Sequence, residues 1–246
     1  MTKTLILIPS RMAATRLPGK PLLKINNLSI ISHVFKRAEE AKIGEVVVAT
    51  EDQKILEDVI KNGGRGILTS SNHKTGTDRI FEAYKKLEIK DVDYVLNLQG
   101  DEPNIDKNDI ISLNNFMINN NSEIGTLAAT IQDDKIANNK NVVKVITGKK
   151  LEKNNFPTAL NFTRDNLSKN NSNIYHHIGI YSYKTSILEK FVSLAQTTNE
   201  IENKLEQLRA LDNKLKINVA LAKSSPIGID TEEDYLAIKK IMEYKS

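Results

Sequence analysis

The chain has 246 residues, no cysteine and a formal net charge of +4. This length fits one large α/β domain or two small ones, and the lack of cysteine excludes disulfides, thiolate metal sites and thiol nucleophiles. Basic residues are scattered and tryptophan is absent, which argues against a nucleic-acid partner. No apolar run approaches the ~18 residues of a membrane span, and the run after Lys3 is too short for a signal peptide. We therefore expect a cytoplasmic protein with no membrane partner.

The first half of the chain alternates short apolar runs with amphipathic segments. The pattern predicts strands at 5–8, 45–50, 66–69 and 93–98, and helices at 30–41, 51–62, 77–87 and 106–117. Ser29 is a typical helix N-cap, and Gly63 and Gly64 are typical of a helix end. Repeated strand–helix units of this length predict a mostly parallel sheet with helices on both faces.

The second half is less regular. Its pattern predicts strands at 125–131, 141–147, 158–163, 178–183 and 217–222, and helices at 185–194, 200–211 and 231–242. The helix at 200–211 rests on Ile201, Leu205, Leu208 and Leu211, which would share one face. Neither a linker nor a repeat is visible. We therefore predict a single α/β domain over 1–246, with a core at 1–139 and 213–246 and an inserted lobe at 140–212.

Four polar clusters fall where predicted strands end. They are the loop 9–20, the stretch 73–79 (H-K-T-G-T-D-R), the turn 99–103 (Q-G-D-E-P) and the segment 228–231 (G-I-D-T). In an open α/β sheet, ligands bind at the carboxyl ends of the strands. The clusters therefore predict one binding site made from segments distant in sequence.

The residue types in these clusters suggest a polyphosphate and a metal ion. Arg11, Arg16 and Lys20 lie within ten residues of each other, and arginine and lysine are the usual ligands of phosphate oxygens. Asp101 and Asp230 could converge on Mg²⁺, which prefers one or two carboxylates together with phosphate oxygens. The patterns of a P-loop and of a dinucleotide-binding turn are both absent from the sequence.

Each cluster also has a purely structural interpretation. Asp101 could cap the helix at 106–117 or stabilise a turn. The pair Asp230–Thr231 could simply begin a capped helix, and His73 could be an ordinary surface residue. Four such clusters at matching strand ends nevertheless favour a binding site.

The stretch I-P-S-R-M-A-A-T-R-L-P-G-K-P-L resembles the nucleotide signature of the sugar cytidylyltransferases, and in detail that of the 3-deoxy-manno-octulosonate (Kdo) cytidylyltransferase family. The resemblance continues in order through V-V-V-A-T-E-D, H-K-T-G-T-D-R, L-N-L-Q-G-D-E-P, H-I-G-I-Y, L-E-Q-L-R and G-I-D-T-E-E-D. It implies a Rossmann-like nucleotidyltransferase fold and a homodimer. It also implies that CTP and Kdo react to give CMP-Kdo and pyrophosphate, for lipopolysaccharide biosynthesis.

The resemblance further implies roles for individual residues. Catalytic roles fall to Lys20, Asp101 and Asp230, the two aspartates being the ligands of Mg²⁺. The residues implied to bind the nucleotide are Pro9, Arg11, Arg16, Lys20, Thr77, Arg79 and Gln99. Those implied to bind the sugar acid are Gln99, Arg164, His177, Tyr181 and Glu206. The lobe at 140–212 would carry the sugar-acid pocket and the dimer contacts, and no residue stands out as a general base.

Two departures from the family pattern bear on the substrate. The family often has R-x-x-I-P and a basic residue where this chain has R-D-N-L-S-K-N-N from Arg164, and it often has serine at the position of Ala14. A related acid, such as 8-amino-8-deoxy-Kdo or another nonulosonate, is therefore an alternative substrate. A non-catalytic nucleotide-binding regulator is an alternative function. Arg164 as a surface arginine and His177 as a core histidine are the corresponding structural alternatives.

Overall fold

The computed structural model describes residues 2–13, 16–131, 139–165, 173–226 and 228–244, and it contains two compact units. The first unit is Met1–Ile110 with Pro226–Ser246, and the second is Ile111–Ser225. The predicted lobe at 140–212 lies inside the second unit. Residues 111–139 and 213–225, which we assigned to the core, also belong to the second unit.

A parallel sheet forms the centre of the first unit. In chain order the elements are β1 (Thr4–Ser10), β2 (Lys24–Ile25), β3 (Leu28–Ser29), α1 (Ile30–Glu40), β4 (Gly44–Thr50), α2 (Gln53–Lys61), β5 (Gly66–Leu68), α3 (Gly76–Leu87), β6 (Tyr94–Asn97) and the start of α4 (Lys107–Asn120). Strands β6, β1, β4 and β5 lie side by side in that order and are all parallel. The predicted strand–helix alternation and parallel sheet are confirmed here.

Local capping sets where the helices of this unit begin. Ser29 Oγ accepts a hydrogen bond of 3.2 Å from the Ser32 amide, as expected of the predicted N-cap. Asp52 caps α2 by accepting from the Lys54 amide at 2.8 Å, so this helix begins two residues later than the predicted Glu51. Gly63, with a φ of 84°, follows the end of α2 in the left-handed conformation that glycine adopts without strain.

The core of the first unit lies on the sheet. Leu5 to Ile8 are at most 1% exposed and Val47 to Ala49 are fully buried, as expected of parallel strands covered on both faces. Because β1 and β4 run in register, Ser10 lies opposite Thr50 at the carboxyl end of the sheet. The loops after these strands therefore leave from one edge.

The second unit has a mixed sheet. Its elements are β7 (Ile124–Ala129), β8 (Lys144–Thr147), β9 (Ala159–Thr163), β10 (Ile174–Lys184), α5 (Thr185–Ser193), α6 (Thr198–Asn203), α7 (Gln207–Asp212) and β11 (Ile217–Leu221). The strand order is β11, β7, β10, β8, β9, in which only the β11–β7 pair is parallel. The chain then returns to the first unit and forms α8 (Glu232–Glu243).

The prediction of one helix over 200–211 was wrong. The chain forms α6 and α7 instead, with Lys204 between them at a φ of 53°. Arg209 Nη2 lies 2.6 Å from Glu200 Oε1, and both side chains are buried. Nine residues of straight helix would separate these two positions by about 13.5 Å, so the ion pair requires the helix to break.

Two further differences have identifiable causes. We missed the β2–β3 hairpin, whose turn residues Asn26 and Asn27 have φ values of 47° and 64°. The strand predicted at 178–183 begins at Ile174, because Ile174 to His176 pair with β8. Within the described ranges, no helix combines the length and apolar character needed to cross a membrane.

Gly44 offers a test of the β1–β4 pairing. A Cβ at this position would overlap the carbonyl oxygen of Thr4 and lie 2.8 Å from its carbonyl carbon. We expect Gly44→Ala to lower the free energy of unfolding by about 3 kcal/mol, because backbone atoms cannot move aside cheaply. Urea titration measures the change.

Gly148→Ala is the matched control, because its added Cβ would meet nothing closer than 3.7 Å. We expect a change below about 1 kcal/mol for this variant. Equal stability losses in the two variants would contradict the steric explanation.

Candidate active site

A polar cleft of about 360 Å³ lies in the first unit, at the carboxyl edge of its sheet. All four predicted clusters contribute to it. Its lining consists of Pro9, Ser10, Arg11, Ala13, Arg16, Lys20, Pro21, His73, Lys74, Thr75, Gly76, Arg79, Gln99, Gly100, Asp101 and Asp230. The structure thus brings together segments that lie more than 200 residues apart in the sequence.

Lys20 is the centre of the charged side of this cleft. Its Nζ donates to Asp101 Oδ2 at 2.7 Å and to the Ile229 carbonyl at 2.6 Å, and it lies 3.4 Å from Asp230 Oδ1. The Lys20 side chain is 13% exposed. One ammonium group therefore holds the turn after β6 against the segment that leads into α8.

Two arginines lie nearer to solvent. Arg16 Nη2 is 3.0 Å from Asp230 Oδ2, but both side chains are more than half exposed. Arg11 lines the cleft and is exposed. Because both arginines are exposed, they are accessible to an incoming anion. The exposed Arg16–Asp230 ion pair adds little to stability.

The backbone around Asp101 is tightly packed. The Ile229 amide donates to the Asp101 carbonyl at 3.0 Å, which joins the two acidic segments directly. A Cβ on Gly100 would lie 2.9 Å from the Pro9 carbonyl oxygen, so only glycine lets this turn approach β1 so closely. The sequence therefore fixes Asp101 through backbone contacts as well as through Lys20.

The structure separates the capping roles from the cleft roles. Thr231, not Asp230, is the N-cap of α8, and it forms a capping box with Asp234. Asp106, not Asp101, accepts from the Asn108 amide at 2.8 Å near the start of α4. Both cleft aspartates are thus placed beside Lys20 without serving as helix caps.

The start of α3 forms the opposite side of the cleft. Arg79 is 3% exposed, forms an ion pair with Glu51 and donates to Thr69 Oγ1 at 2.7 Å. A Cβ on Gly76 would lie 3.3 Å from Pro9 Cγ, so α3 packs closely against β1. The Arg79 charge is therefore already balanced inside the protein.

His73 is not a free surface residue. Its Nε2 is hydrogen-bonded to Glu82, which also accepts from the Ser70 amide at 3.0 Å and pairs with Lys86 at 2.6 Å. Burial alone would raise the pKa of Glu82, but the hydrogen bonds from Lys86, His73 and Ser70 outweigh it and lower the pKa to about 2. Glu82 therefore anchors the loop that carries His73 into the cleft.

Glu102 follows Asp101 but is buried, with 8% exposure. Burial, together with the negative charge of Asp101, raises the pKa of Glu102 to about 8. Its Cγ lies 4.0 Å from where Gly228 would carry a Cβ. The two adjacent acidic residues thus occupy different environments, and only Asp101 faces Lys20.

The residues implied to bind the nucleotide are mostly in this cleft. Pro9, Arg11, Arg16, Lys20, Arg79 and Gln99 all line it. Thr77 is 2% exposed and points into the protein, whereas its neighbours Thr75 and Gly76 line the cleft. Sequence reasoning missed Ser10 and Lys74, although both lie within motifs that we had singled out.

His177 and Tyr181 lie in the second unit, on β10. The His177 ring is 8% exposed, 5.4 Å from the Tyr181 ring, and its Nε2 is 3.1 Å from Thr126 Oγ1. Burial is the main cause that lowers the pKa of His177 to about 3, and the charges of His176 and Arg164 contribute to the same shift. Its burial and its hydrogen bond are those of a neutral core histidine.

Arg164 and Glu206 belong to the same region of the second unit. Arg164 Nη1 donates to the Asn141 carbonyl at 2.8 Å, and its own carbonyl accepts from Lys144 Nζ at 3.2 Å. Burial raises the pKa of Tyr181, and Tyr183 and Glu206 add to this effect. Among the residues implied for the sugar acid in this unit, Arg164 therefore acts electrostatically on His177, and Glu206 on Tyr181. Ala14 and the segment 166–172, where the family pattern changes, lie outside the described residues.

Comparison with known proteins gives a consistent result. A family model described as "Cytidylyltransferase" matches residues 5–217. A 3-deoxy-manno-octulosonate cytidylyltransferase from Rhodopseudomonas palustris is 44% identical to this chain over 244 residues, which is 99% of each protein.

Solved structures agree with these sequence relatives. The structure of a CMP:2-keto-3-deoxy-manno-octonic acid synthetase in complex with CTP has a TM-score of 0.90 and 32% identity, with both chains fully covered. A UDP-glucose pyrophosphorylase in complex with UDP-glucose has a TM-score of 0.74 at 16% identity, a likeness of fold alone. The predicted Rossmann-like nucleotidyltransferase fold is confirmed.

The buried state of His177 predicts a pH effect on stability. Its pKa is about 3 in the folded chain and 6.5 when unfolded, so between these values only the unfolded state binds the proton. Stability due to this residue therefore rises with pH across that window, by up to about 1.4 kcal/mol per pH unit. Urea unfolding of His177→Asn at pH 4.5, 5.5 and 7 should give a flatter dependence than the parent chain. An unchanged slope would show that His177 is protonated in the folded state.

Proposed function

The chain belongs to the 3-deoxy-manno-octulosonate cytidylyltransferase family, and from this we propose that it transfers the cytidylyl group of CTP to Kdo, for lipopolysaccharide biosynthesis. The anomeric hydroxyl of Kdo attacks the α-phosphorus of CTP, the bond to the β-phosphate oxygen breaks, and pyrophosphate leaves. The observation that carries this proposal for the cleft is the contact of Lys20 with both Asp101 and Asp230.

The cations of the cleft support the assignment of the triphosphate. Arg11, Arg16 and Lys20 all line one cavity, and at neutral pH CTP brings several negative charges into it. Phosphoryl transfer depends mainly on positioning and on neutralising this charge. Arg11 and Arg16 can supply forked donors to phosphate oxygens, and Lys20 a compact charge.

The two aspartates fit a magnesium ion. Asp101 Oδ2 and Asp230 Oδ1 already face one shared cation, Lys20 Nζ, at 2.7 and 3.4 Å. Mg²⁺ is commonly bound by one or two carboxylates and completed by phosphate oxygens and water. We propose that these residues hold it, and that when bound it neutralises phosphate charge.

A metal held in this way would depend on the nucleotide. Within the described ranges, no group of three or more histidine, aspartate or glutamate side chains is arranged to hold a metal ion. Two carboxylates leave most of an octahedral shell to other ligands. We therefore propose that the ion binds together with CTP.

Lys20 supplies a fixed positive charge in the cleft. Lys20 is held by three acceptors, so its ammonium is oriented before the substrate arrives. A charge fixed in advance needs no reorganisation as negative charge builds up on the pyrophosphate oxygens. None of the described residues stands out as a base for the attacking hydroxyl.

The sugar acid is proposed to contact Arg164, His177, Tyr181 and Glu206 of the second unit. Arg164 suits the carboxylate of Kdo because its planar guanidinium matches that group. Support comes from the mutual electrostatic influence of Arg164 on His177 and of Glu206 on Tyr181. His177 would act as a neutral hydrogen-bonding group.

Pyrophosphate release from CTP and Mg²⁺ with a panel of sugar acids tests the function. We expect turnover with Kdo, and Asp101→Asn should lower kcat at least about 100-fold, because the proposed Mg²⁺ loses a carboxylate ligand. Asp106→Asn is the matched control, since Asp106 is a helix-capping aspartate outside the cleft lining, and it should keep its activity.

Turnover with 8-amino-8-deoxy-Kdo but not with Kdo would assign that acid as the substrate, and the proposed cytidylyl transfer would stand. Binding of CTP without turnover of any acid would support the regulator alternative.

We also propose a homodimer in the cytoplasm. Leu160 and Ile201 are large apolar side chains of the second unit with 62% and 58% exposure. Both lie in the segment that we expected to carry the dimer contacts. The absence of cysteine is compatible with a reducing compartment.

Sedimentation equilibrium tests the assembly. The parent chain should sediment at twice its mass of 27.6 kDa. Leu160→Asp combined with Ile201→Asp should shift it towards the monomer, because a buried interface does not tolerate unpaired charges. Leu68→Asp, an exposed position of the first unit with 41% exposure, should leave the assembly unchanged. A monomeric parent chain would contradict the proposal.

A further inference from the structure

Ser10 is a buried polar residue that the chemistry described so far does not use. It ends β1, is 7% exposed and lines the cleft. Among the residues that the structure describes, its Oγ has no hydrogen-bond partner. Buried hydroxyl groups are almost always paired, and an unpaired one destabilises the fold. Its position in the cleft suggests that a ligand completes it.

Ser10 lies between the two sides of the cleft, which are the Lys20 cluster and the start of α3. Residue 10 is paired with Thr50 on β4, the strand that leads to Glu51, the partner of Arg79. On the other side of β1, strand β6 leads to the turn that carries Asp101. Ser10 is therefore placed at the floor of the cleft, between the Lys20 cluster and the start of α3.

The charge distribution indicates which part of a nucleotide would meet this floor. The triphosphate is accounted for by Arg11, Arg16 and Lys20. A hydroxyl group is neutral and can both donate and accept, which suits the hydroxyl and base atoms of a nucleoside better than phosphate oxygens, which only accept.

We propose that the Ser10 hydroxyl hydrogen-bonds the nucleoside half of CTP and so contributes to nucleotide affinity. This inference rests on the proposed function of the cleft. In the free protein the hydroxyl has no partner among the described residues, and binding of the nucleotide would supply one. Ser10 is thus a substrate-binding residue and takes no part in the bond changes at phosphorus.

Ser10→Ala removes only the hydroxyl oxygen and tests the proposal. With saturating Kdo, the KM for CTP should rise about fivefold, the size expected for one neutral hydrogen bond, while kcat should change less than twofold. The inhibition constant of inorganic tripolyphosphate should not change, because it lacks a nucleoside. Stability in urea should stay the same or increase, since no internal hydrogen bond is lost.

Ser182→Ala is the matched control. Ser182 Oγ is also buried, at 0% exposure, and also lacks a partner among the described residues, but it lies outside the cleft lining. This variant should leave the KM for CTP unchanged. A rise in KM equal to that of Ser10→Ala would show that any loss of a buried hydroxyl has the effect, and it would overturn the proposal.

Other outcomes would also overturn it. An unchanged KM for CTP in Ser10→Ala would refute the contact, and equal weakening of tripolyphosphate would assign the hydroxyl to the phosphates. Repeating the measurement with 2′-deoxy-CTP locates the contact. If Ser10→Ala and the parent chain then have the same KM, the hydroxyl contacts the ribose 2′-hydroxyl. If the KM of the variant is still higher, the hydroxyl contacts another atom of the nucleoside. If the parent chain shows no turnover with any sugar acid, the proposed function fails, and calorimetric CTP binding by the two proteins still decides the role of Ser10.

Discussion

The cleft depends on one ammonium group with three oxygen partners. Asp101, Asp230 and the Ile229 carbonyl come from two distant segments, and Lys20 holds them together. Without this cation the two carboxylates would repel each other. The same carboxylates are the proposed ligands of Mg²⁺, so a bound metal would share these oxygens with the ammonium. In the free cleft, one internal cation therefore holds the two acidic segments together.

Much of the first unit could be predicted because its signals are local. The apolar run from Leu5 to Ile8 and the β-branched run after Glu45 are typical of buried strands in a parallel sheet. Ser29 is a typical N-cap and marks the start of a helix. The hairpin at Asn26–Asn27 was also within reach, since paired asparagines favour left-handed turns. The break in the predicted helix at 200–211 was not, because it follows from a buried ion pair that exists only in the folded chain.

The site divides in the same way. The residue types and their positions at strand ends were sufficient to predict that Lys20, Asp101 and Asp230 lie in one site. They were not sufficient for Thr77, whose side chain turns inward at the start of α3, because helix rotation depends on packing. Nor could they identify Ser10, whose buried hydroxyl has no hydrogen-bond partner among the described residues. Sequence indicates which groups are present, but burial and unmet hydrogen bonds are properties of the fold.

The sequence separation of the Lys20 contacts has a consequence for protein synthesis. Asp101 is 81 residues and Asp230 is 210 residues beyond Lys20. At roughly 5–20 residues per second, a ribosome needs about 10–40 s to add the last of these partners. Until residue 230 is added, the growing chain carries the basic loop with at most one of its two acidic partners, Asp101. The cleft can form only late in translation, so a chain that stalls between residues 222 and 228 would carry all the described strands but no complete charge cluster.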